Sequence, residues 1–169
     1  MSSRLLLNFQ LNKMERCNSE IGEIYDHMFQ MSKDDMWAVR ILESIPSIST
    51  LAAIYIIAEI GTDLSAFKTA NHLAAWAGLV PKDNQSANKV RPSKTKKGNP
   101  YVKSLMIQCA WAETKTRNTR LSLWYWSHVK KLGDKKAITA VARKLLCYIY
   151  AMLTSGTFYD KSLDVALYE

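Results

Sequence analysis

Apolar residues recur three and four positions apart through most of this chain, and this spacing is the feature that most restricts its fold. Near the C-terminus the pattern runs without a break until Ser155-Gly156, which is suited to end a helix. A stripe with this period lies along one face of a helix and does not fit the two-residue period of a strand. Its apolar positions are Ile138, Val141, Ala142, Leu145, Ile149 and Met152. The sequence therefore predicts an all-α fold.

Capping residues divide the rest of the chain into further helices. Glycine is favoured just after a helix, and Thr, Asn and Asp are favoured just before one. Asn99 followed by Pro100 is typical of an N-cap and a first helical position. The other predicted helix ends are Gly61, Thr69, Gly78, Gly133 and Asp134. Between Leu79 and Asn99 no periodicity is sustained, which predicts a loop that could contain a short hairpin.

The N-terminal segment predicts one long helix with an apolar seam. Apolar residues recur every seven positions, and a second set falls three positions after them. The two sets are Leu7, Met14, Ile21 and Met28, and Cys17, Ile24 and Met31. Two interpretations stay open: a coiled-coil connector that makes the protein a homo-oligomer, or a first helix that packs on its own domain. The expected domains are the connector, residues 1–40, a helical domain, residues 41–156, and a flexible tail, residues 157–169.

Net charge favours a polyanionic partner. The formal charge is +8 and the pI about 9.4, which is typical of nucleic-acid-binding proteins. The longest apolar run, Leu51 to Ala58, is shorter than a membrane span, and the N-terminus lacks a signal-peptide cleavage site. The three cysteines suggest neither a disulfide framework nor a zinc site. We therefore expect a protein of the bacterial cytoplasm, associated with the nucleoid and not with a membrane.

Most of the positive charge lies in one proline-flanked segment. From Lys82 to Lys103 there are seven Lys and Arg residues and a single acid, Asp83. Lysine and arginine bind phosphate oxygens, and amide and hydroxyl side chains add further hydrogen bonds. The residues predicted to contact nucleic acid here are Lys82, Gln85, Lys89, Arg91, Lys94, Lys96, Lys97, Asn99 and Lys103. The alternative, a solvated charged loop, is the usual fate of a lysine run.

A tight link between two apolar helices adds a second candidate DNA contact. The segment ESIPSISTLAAIYIIAEIG has the form of a helix-hairpin-helix, in which backbone N–H groups approach a DNA phosphate. Ser47 and Ser49 stand where glycines are expected, and their hydroxyls could donate hydrogen bonds instead. The other interpretation is an ordinary helical hairpin.

Several motifs occur in order and with similar spacing to those of a known family: IPSIS, AEIG, AWAGLVP, then QSA, KKGNP and VARKLL. From about Ile41 to Leu153 the chain resembles the C-terminal domain of the insertion-sequence one-ten (IS116/IS110/IS902) transposases. These recombinases combine a RuvC-like acidic domain with a catalytic serine. The resemblance implies transposition and DNA recombination, with Ser86 as the nucleophile on a DNA phosphodiester. It also implies an oligomer that acts on DNA with a structured guide RNA.

The chain departs from the family pattern at three places. Ala87 replaces a glycine after the serine, and Ser47 and Ser49 replace the hairpin glycines. No acidic domain precedes Ile41, so we expect no cofactor in this chain and Mg²⁺ in the missing domain. Such a fragment is expected to bind nucleic acid but to be inactive alone. The alternatives are a non-catalytic nucleic-acid-binding module or transposase remnant, and a purely structural oligomerisation protein.

Other residues support less specific predictions. Arg143 and Lys144 flank the apolar stripe of the last helix and are further candidates for contact with nucleic acid. Trp124, Tyr125 and Trp126 lie near Arg117 and Arg120 and could stack on bases, although their helical spacing favours packing in the core. The three histidines share no metal-ligand spacing, and no metal site is predicted.

Overall fold

The structure is a computed structural model that describes residues 2–81, 85–86, 89–90, 95 and 97–162. Its helices are α1 (Ser2–Met31), a 3₁₀ helix (Lys33–Asp35), α2 (Met36–Glu43), α3 (Thr50–Ile60), α4 (Ala70–Trp76), α5 (Pro100–Lys115), α6 (Arg120–Leu132) and α7 (Asp134–Ser155). Within the described ranges, the only named strands are the two-residue strands β1 (Gln85–Ser86) and β2 (Lys89–Val90). The prediction of an all-α fold is therefore confirmed.

The chain divides into two compact units, Met1–Met36 and Trp37–Glu169. The first contains α1, a helix of 30 residues, and the 3₁₀ helix that follows it. Most apolar side chains of α1 are exposed, from 39% for Phe29 to 85% for Met31. The predicted long helix is present, whereas its pairing as a coiled coil stays a prediction.

The core of the second unit is built around α7. This helix packs against α4, α5 and α6, while α5 also packs against α3. The apolar stripe identified in the sequence is the face that α7 buries, and Leu145, Leu146 and Ile149 are completely covered. Burial of each such side chain contributes about 1.5–3 kcal/mol, so this one helix supplies a large part of the hydrophobic stabilisation.

By length and composition α7 could also cross a membrane, but half of its most apolar stretch is buried inside the unit. Its exposed side carries Lys135, Lys136 and Lys144. A helix that is apolar on one face and cationic on the other, with neighbours on the apolar face, is a core helix of a packed domain.

Most of the helix ends lie where the sequence places them. Gly61 follows α3 at φ 74°, Thr69 caps α4, and Asn99 caps α5 with Pro100 in its first turn. Asp134 was predicted to cap α7, and this was wrong. Gly133, at φ 79°, ends α6 and also holds the N-cap position of α7, so Asp134 is the first residue of the helix. A single residue must reverse the chain there, and glycine adopts positive φ without strain.

Part of the predicted tail is described. The backbone N–H of Tyr159 donates to Ser44 Oγ at the end of α2, at 2.8 Å. The prediction of a flexible tail and the domain boundaries at residues 40 and 156 stay predictions, and residues 163–169 lie outside the described residues.

Candidate nucleic-acid interface

The basic segment leaves the helical core and returns to it at one place. It starts just after α4, where Leu79 N–H donates to Ala74 O at 3.0 Å, and ends where Asn99 N–H donates to Trp76 O at 3.0 Å. Gly98 lies against the same backbone: a Cβ built on it would be 2.5 Å from Trp76 O and still closer to Gly78 N. Only a glycine allows this approach, so both ends of the segment are fixed at the C-terminal end of α4.

Beyond this base the described backbone forms a hairpin. Pro81 and Thr95 form an isolated antiparallel bridge, and β1 pairs with β2 in the register Gln85–Val90 and Ser86–Lys89. Two residues, Ala87 and Asn88, separate Ser86 from Lys89 in the sequence. The hairpin considered from the sequence is thus present. It places Ser86 in the last pair before the turn, with Lys89 at the opposite register position.

Asn99 serves as the cap that joins the hairpin to α5. Its Oδ1 accepts from the N–H groups of Tyr101 and Val102, at 2.9 and 3.2 Å. Its Nδ2 donates to Glu59 Oε2 of α3 at 2.8 Å. The side chain that was predicted to bind nucleic acid is therefore engaged within the protein on both its oxygen and its nitrogen. Glu59 was missed as its partner, because the two residues are distant in the sequence.

Two lysines at the base of the hairpin are described. Lys103, in the first turn of α5, donates from Nζ to Thr95 Oγ1 at 2.6 Å and so contacts the returning arm. Lys97 is exposed. Of the other predicted contacts, Lys82, Arg91, Lys94 and Lys96 lie outside the described residues, and Gln85, Ser86 and Lys89 are described by their backbone alone.

The link between α2 and α3 holds the two predicted serines in different environments. Ser49 caps α3, since its Oγ accepts from Ala52 N–H at 3.3 Å. Ser47 Oγ is buried and has no hydrogen-bond partner among the described residues. Their roles in a helix-hairpin-helix contact with DNA stay predictions.

Arg143 and Lys144 are the predicted contacts on α7, and each also binds a neighbouring helix. Arg143 Nη2 donates to Asn71 Oδ1 of α4 at 3.0 Å. The ammonium of Lys144 lies 4.9 Å from the ring centroid of Trp124 on α6, a cation–π distance. The two cations are thus held on the surface that α7 forms with α4 and α6.

Protonation and metal chemistry give no sign of a catalytic centre in the part of the chain that the structure describes. Burial raises the pKa of the Cys109 thiol to about 11, which makes it a poor nucleophile. No group of three or more His, Cys, Asp or Glu residues in the described ranges could hold a metal ion.

The structure also exposes aromatic residues that the sequence interpretation placed in the core. Tyr125 is buried, as the helical spacing favours, but Trp126 is 62% exposed. Trp111 on α5, which was not singled out, is 40% exposed. The signal that could have identified both is a lysine four residues later, Lys115 and Lys130, on a helix face without acids.

Comparison with known proteins connects this geometry to a family. Residues 39–125, about half of the chain, match the model of the family described as Transposase IS116/IS110/IS902. The match includes α3, α4, the hairpin with Ser86, and all of α5.

Individual relatives agree with that match. The transposase for insertion sequence element IS1111A of Coxiella burnetii is 29% identical over 91% of this chain and 43% of its own length. The insertion element IS110 uncharacterized 43.6 kDa protein of Streptomyces coelicolor is 27% identical over 75% of this chain and 31% of its own length. The pilin gene-inverting protein of Moraxella lacunata is 29% identical over 75% of this chain and 40% of its own length. The chain thus spans less than half the length of these relatives.

Proposed function

Because the chain belongs to the IS116/IS110/IS902 family of transposases, we propose that it is the DNA-binding, catalytic-serine segment of a transposase that recombines DNA. Ser86 is the nucleophile in this proposal. The observation that supports it most is the position of Ser86 in the last pair of a cationic hairpin whose base is fixed to the core. This is the part of the segment farthest along the hairpin from the helices.

In the proposed reaction Ser86 Oγ forms a bond to the phosphorus of a DNA phosphodiester. The bond from phosphorus to one deoxyribose oxygen breaks, the serine proton passes to a base, and the leaving oxygen takes up a proton. The DNA end then stays attached as a phosphoserine, which keeps the energy of the phosphodiester for rejoining. Lys89, opposite Ser86 in the register, is the described candidate for stabilising the developing negative charge.

A serine hydroxyl is a weak nucleophile until a base or a metal activates it. The described residues of this chain offer no group of convergent acidic side chains. We therefore propose that activation requires a RuvC-like acidic domain, which would hold Mg²⁺. On its own the chain should bind DNA without cutting it.

DNA binding would be dominated by phosphate contacts at the hairpin base and along its arms. Lys97 and Lys103 lie at the base, and the other lysines of the segment, Lys82, Lys89, Lys94 and Lys96, precede them in the sequence. If about six phosphates are neutralised, affinity should fall roughly a thousandfold between about 50 and 200 mM salt. The basic pI of about 9.4 agrees with a polyanionic partner.

The remaining assignments extend the same proposal. The exposed apolar seam of α1 would pair with a second copy, which makes the protein a homo-oligomer, and a structured guide RNA would direct it to its target. Such a complex would work on DNA in the bacterial cytoplasm, at the nucleoid.

A suicide DNA substrate tests the role of Ser86. With an acidic domain supplied in trans, the chain should form a covalent protein–DNA adduct, and Ser86→Ala should abolish it. Ser93→Ala, a serine of the same basic segment, is the matched control and should keep the adduct. An adduct that persists in Ser86→Ala would refute the assignment.

The second candidate function is a non-catalytic nucleic-acid-binding module. It is favoured by the lack of grouped acidic side chains in the described ranges and by Ala87, which replaces a glycine next to the proposed nucleophile. Salt-dependent binding without any adduct, even with the acidic domain present, would support this module in place of the catalytic segment.

A further inference from the structure

Two exposed tryptophans lie side by side on α5 and α6. Trp126 is 62% exposed and Trp111 is 40% exposed. Both border the buried ring of Tyr125, with ring centroids 5.2 Å away for Trp126 and 6.0 Å for Trp111. The two exposed rings therefore border the same buried residue where α5 packs on α6.

The orientation of Trp126 is fixed although its ring is exposed. Its Nε1–H donates to the backbone carbonyl of Thr114 on α5 at 3.2 Å, and Ser122 Oγ donates to the same carbonyl at 3.2 Å. A ring that is already held in place loses little conformational entropy when a ligand stacks on it. Trp126 is thus pre-organised, with most of its surface open to a partner.

The ring of Trp124, unlike that of Trp126, is covered by other side chains of the protein. His128 stacks on its ring at 4.3 Å with an interplanar angle of 14°, and the Lys144 ammonium lies over the ring at 4.9 Å. The protein itself supplies the stacking partners of Trp124. The contrast with Trp124 identifies Trp126 as the ring that is available to an external stacking partner.

The exposed charged residues of α5 and α6 are all positive, and one acid of α7, Asp134, accepts from the Tyr125 hydroxyl at 3.4 Å. Lys115 and Lys130 follow Trp111 and Trp126 by four residues, so each lies on the same helix face as its tryptophan, and both are exposed. The only acidic residue of α5 and α6 is Glu113, which is 1% exposed and therefore absent from the surface. An anionic partner is therefore favoured over a cationic one.

We propose that this tryptophan face, defined as Trp111, Lys115, Trp126 and Lys130, binds single-stranded nucleic acid. An unpaired base stacks on the indole of Trp126, and the two lysines neutralise the neighbouring phosphates. Stacking on aromatic side chains is how proteins hold unpaired strands without reading their sequence, and each stacked base contributes about 1–3 kcal/mol. The site is separate from Ser86 and does not depend on the chemistry proposed there.

Two alternatives fit the same face less well. Bases in a duplex are already stacked on one another, so an exposed indole gains contact with them only after a strand opens. The core of a protein–protein interface is depleted in lysine, whereas here a lysine accompanies each ring. An unpaired strand uses both the rings and the charges.

Fluorescence anisotropy with the full chain tests the proposal. The probes are labelled oligo-dT and oligo-U strands of about 12 nucleotides and a duplex of the same length. Trp126→Leu should weaken the Kd for the single strands by roughly 5- to 100-fold. Trp126→Phe loses the same hydrogen bond to Thr114 but keeps an aromatic face, and should retain most of the affinity. Stacking on either strand supports the site, and the ratio of the two Kd values shows whether the face prefers DNA or RNA.

Three results would overturn the proposal: equal effects of leucine and phenylalanine, an equal loss of duplex binding, or a change of oligomeric state in Trp126→Leu without loss of binding. If Trp126→Leu does not fold, Lys130→Gln provides an independent test. Each lost phosphate contact should reduce the slope of log K against log salt for single strands by about 0.7, and an unchanged slope contradicts the model. Trp37→Leu removes a tryptophan of α2 that is 47% exposed and should leave all these values unchanged, which separates loss of this face from loss of any exposed tryptophan.

Discussion

The two units of this molecule obtain their order in different ways. Residues 1–36 carry six acidic and four basic residues, and most apolar side chains of α1 are exposed. Residues 37–169 carry nine acidic and nineteen basic residues around a core in which α7 is almost completely covered on one face. Stability in most protein helices comes from packing an apolar face. The second unit contains that packing within itself, whereas the apolar seam of α1 is largely exposed in the part of the chain that the structure describes.

Glycine shows the same difference at the level of one atom. A Cβ on Gly22 in α1 would meet nothing within 4 Å, whereas a Cβ on Gly98 would collide with the backbone at Trp76 and Gly78. Glycine is a weak point in an open helix and a requirement in the packed unit. The comparison can therefore be tested with matched substitutions in the two units.

The largest difference is expected for leucines. Leu145→Ala removes a side chain with 0% exposure and should lower the free energy of unfolding by about 2–5 kcal/mol. Leu7→Ala removes one with 58% exposure and should leave the unfolding of the second unit unchanged. Urea denaturation followed by circular dichroism measures both. Equal losses would show that α1 is as well packed as α7 and would end the distinction.

Gly98→Ala should have the next largest effect. The added methyl group forces the hairpin base away from α4, at an expected cost of about 1–3 kcal/mol. It should also release the bond from Asn99 N–H to Trp76 O, so hydrogen exchange of the Asn99 amide should speed up more than the stability loss alone predicts. If the Asn99 amide keeps its original protection from hydrogen exchange, the base of the hairpin does not depend on the close contact of Gly98 with α4.

Loss of a helix cap is expected to be smaller. Asn99→Ala removes the acceptor for Tyr101 and Val102 N–H and the bond to Glu59, and should lower stability by about 1 kcal/mol or slightly more. Asn8→Ala is the control in α1, where the residue is exposed inside a helix and alanine is the better helix former. Thermal unfolding should separate the two variants, and a loss at Asn8 comparable to that at Asn99 would contradict the comparison.

The smallest expected effect is an increase in stability, whereas the three substitutions above lower it. Gly22→Ala should stabilise α1 by up to about 1 kcal/mol, because alanine restricts the unfolded chain and the site has open space. The helical signal at 222 nm during melting is the measurement. A decrease in helicity would show that another chain approaches α1 closely at Gly22, which would sharpen the proposal of pairing at the seam.

Local chemistry explains which features could be predicted from the sequence. Asn99-Pro100 and Gly61 mark helix ends through their own backbone preferences, and the stripe on α7 defines its buried face without reference to other helices. Asp134 was misassigned as the N-cap of α7 because Gly133 holds both the C-cap position of α6 and the N-cap position of α7. These signals depend only on residues within a few positions of each other.

Features that join distant segments could not be predicted in this way. The fit of Gly98 against Trp76 and the bond between Glu59 and Asn99 exist only after α3, α4 and α5 have packed. The exposure of Trp126 was missed for the same reason, since helical spacing is identical for a buried and an exposed aromatic side. Ser86 was found through the family motif, and its place in the hairpin register required the structure.

The single closure point of the hairpin makes this segment exchangeable. Leu79 is buried against the core and Gly98 fits against the backbone at Trp76, so the closure depends on these two residues and not on the length of the arms between them. Lengthening a surface loop costs little once its ends are fixed, about 0.6 kcal/mol for each doubling. A hairpin from another member of the family could be grafted between Leu79 and Gly98, which would test whether the arms set the target preference while the scaffold is conserved.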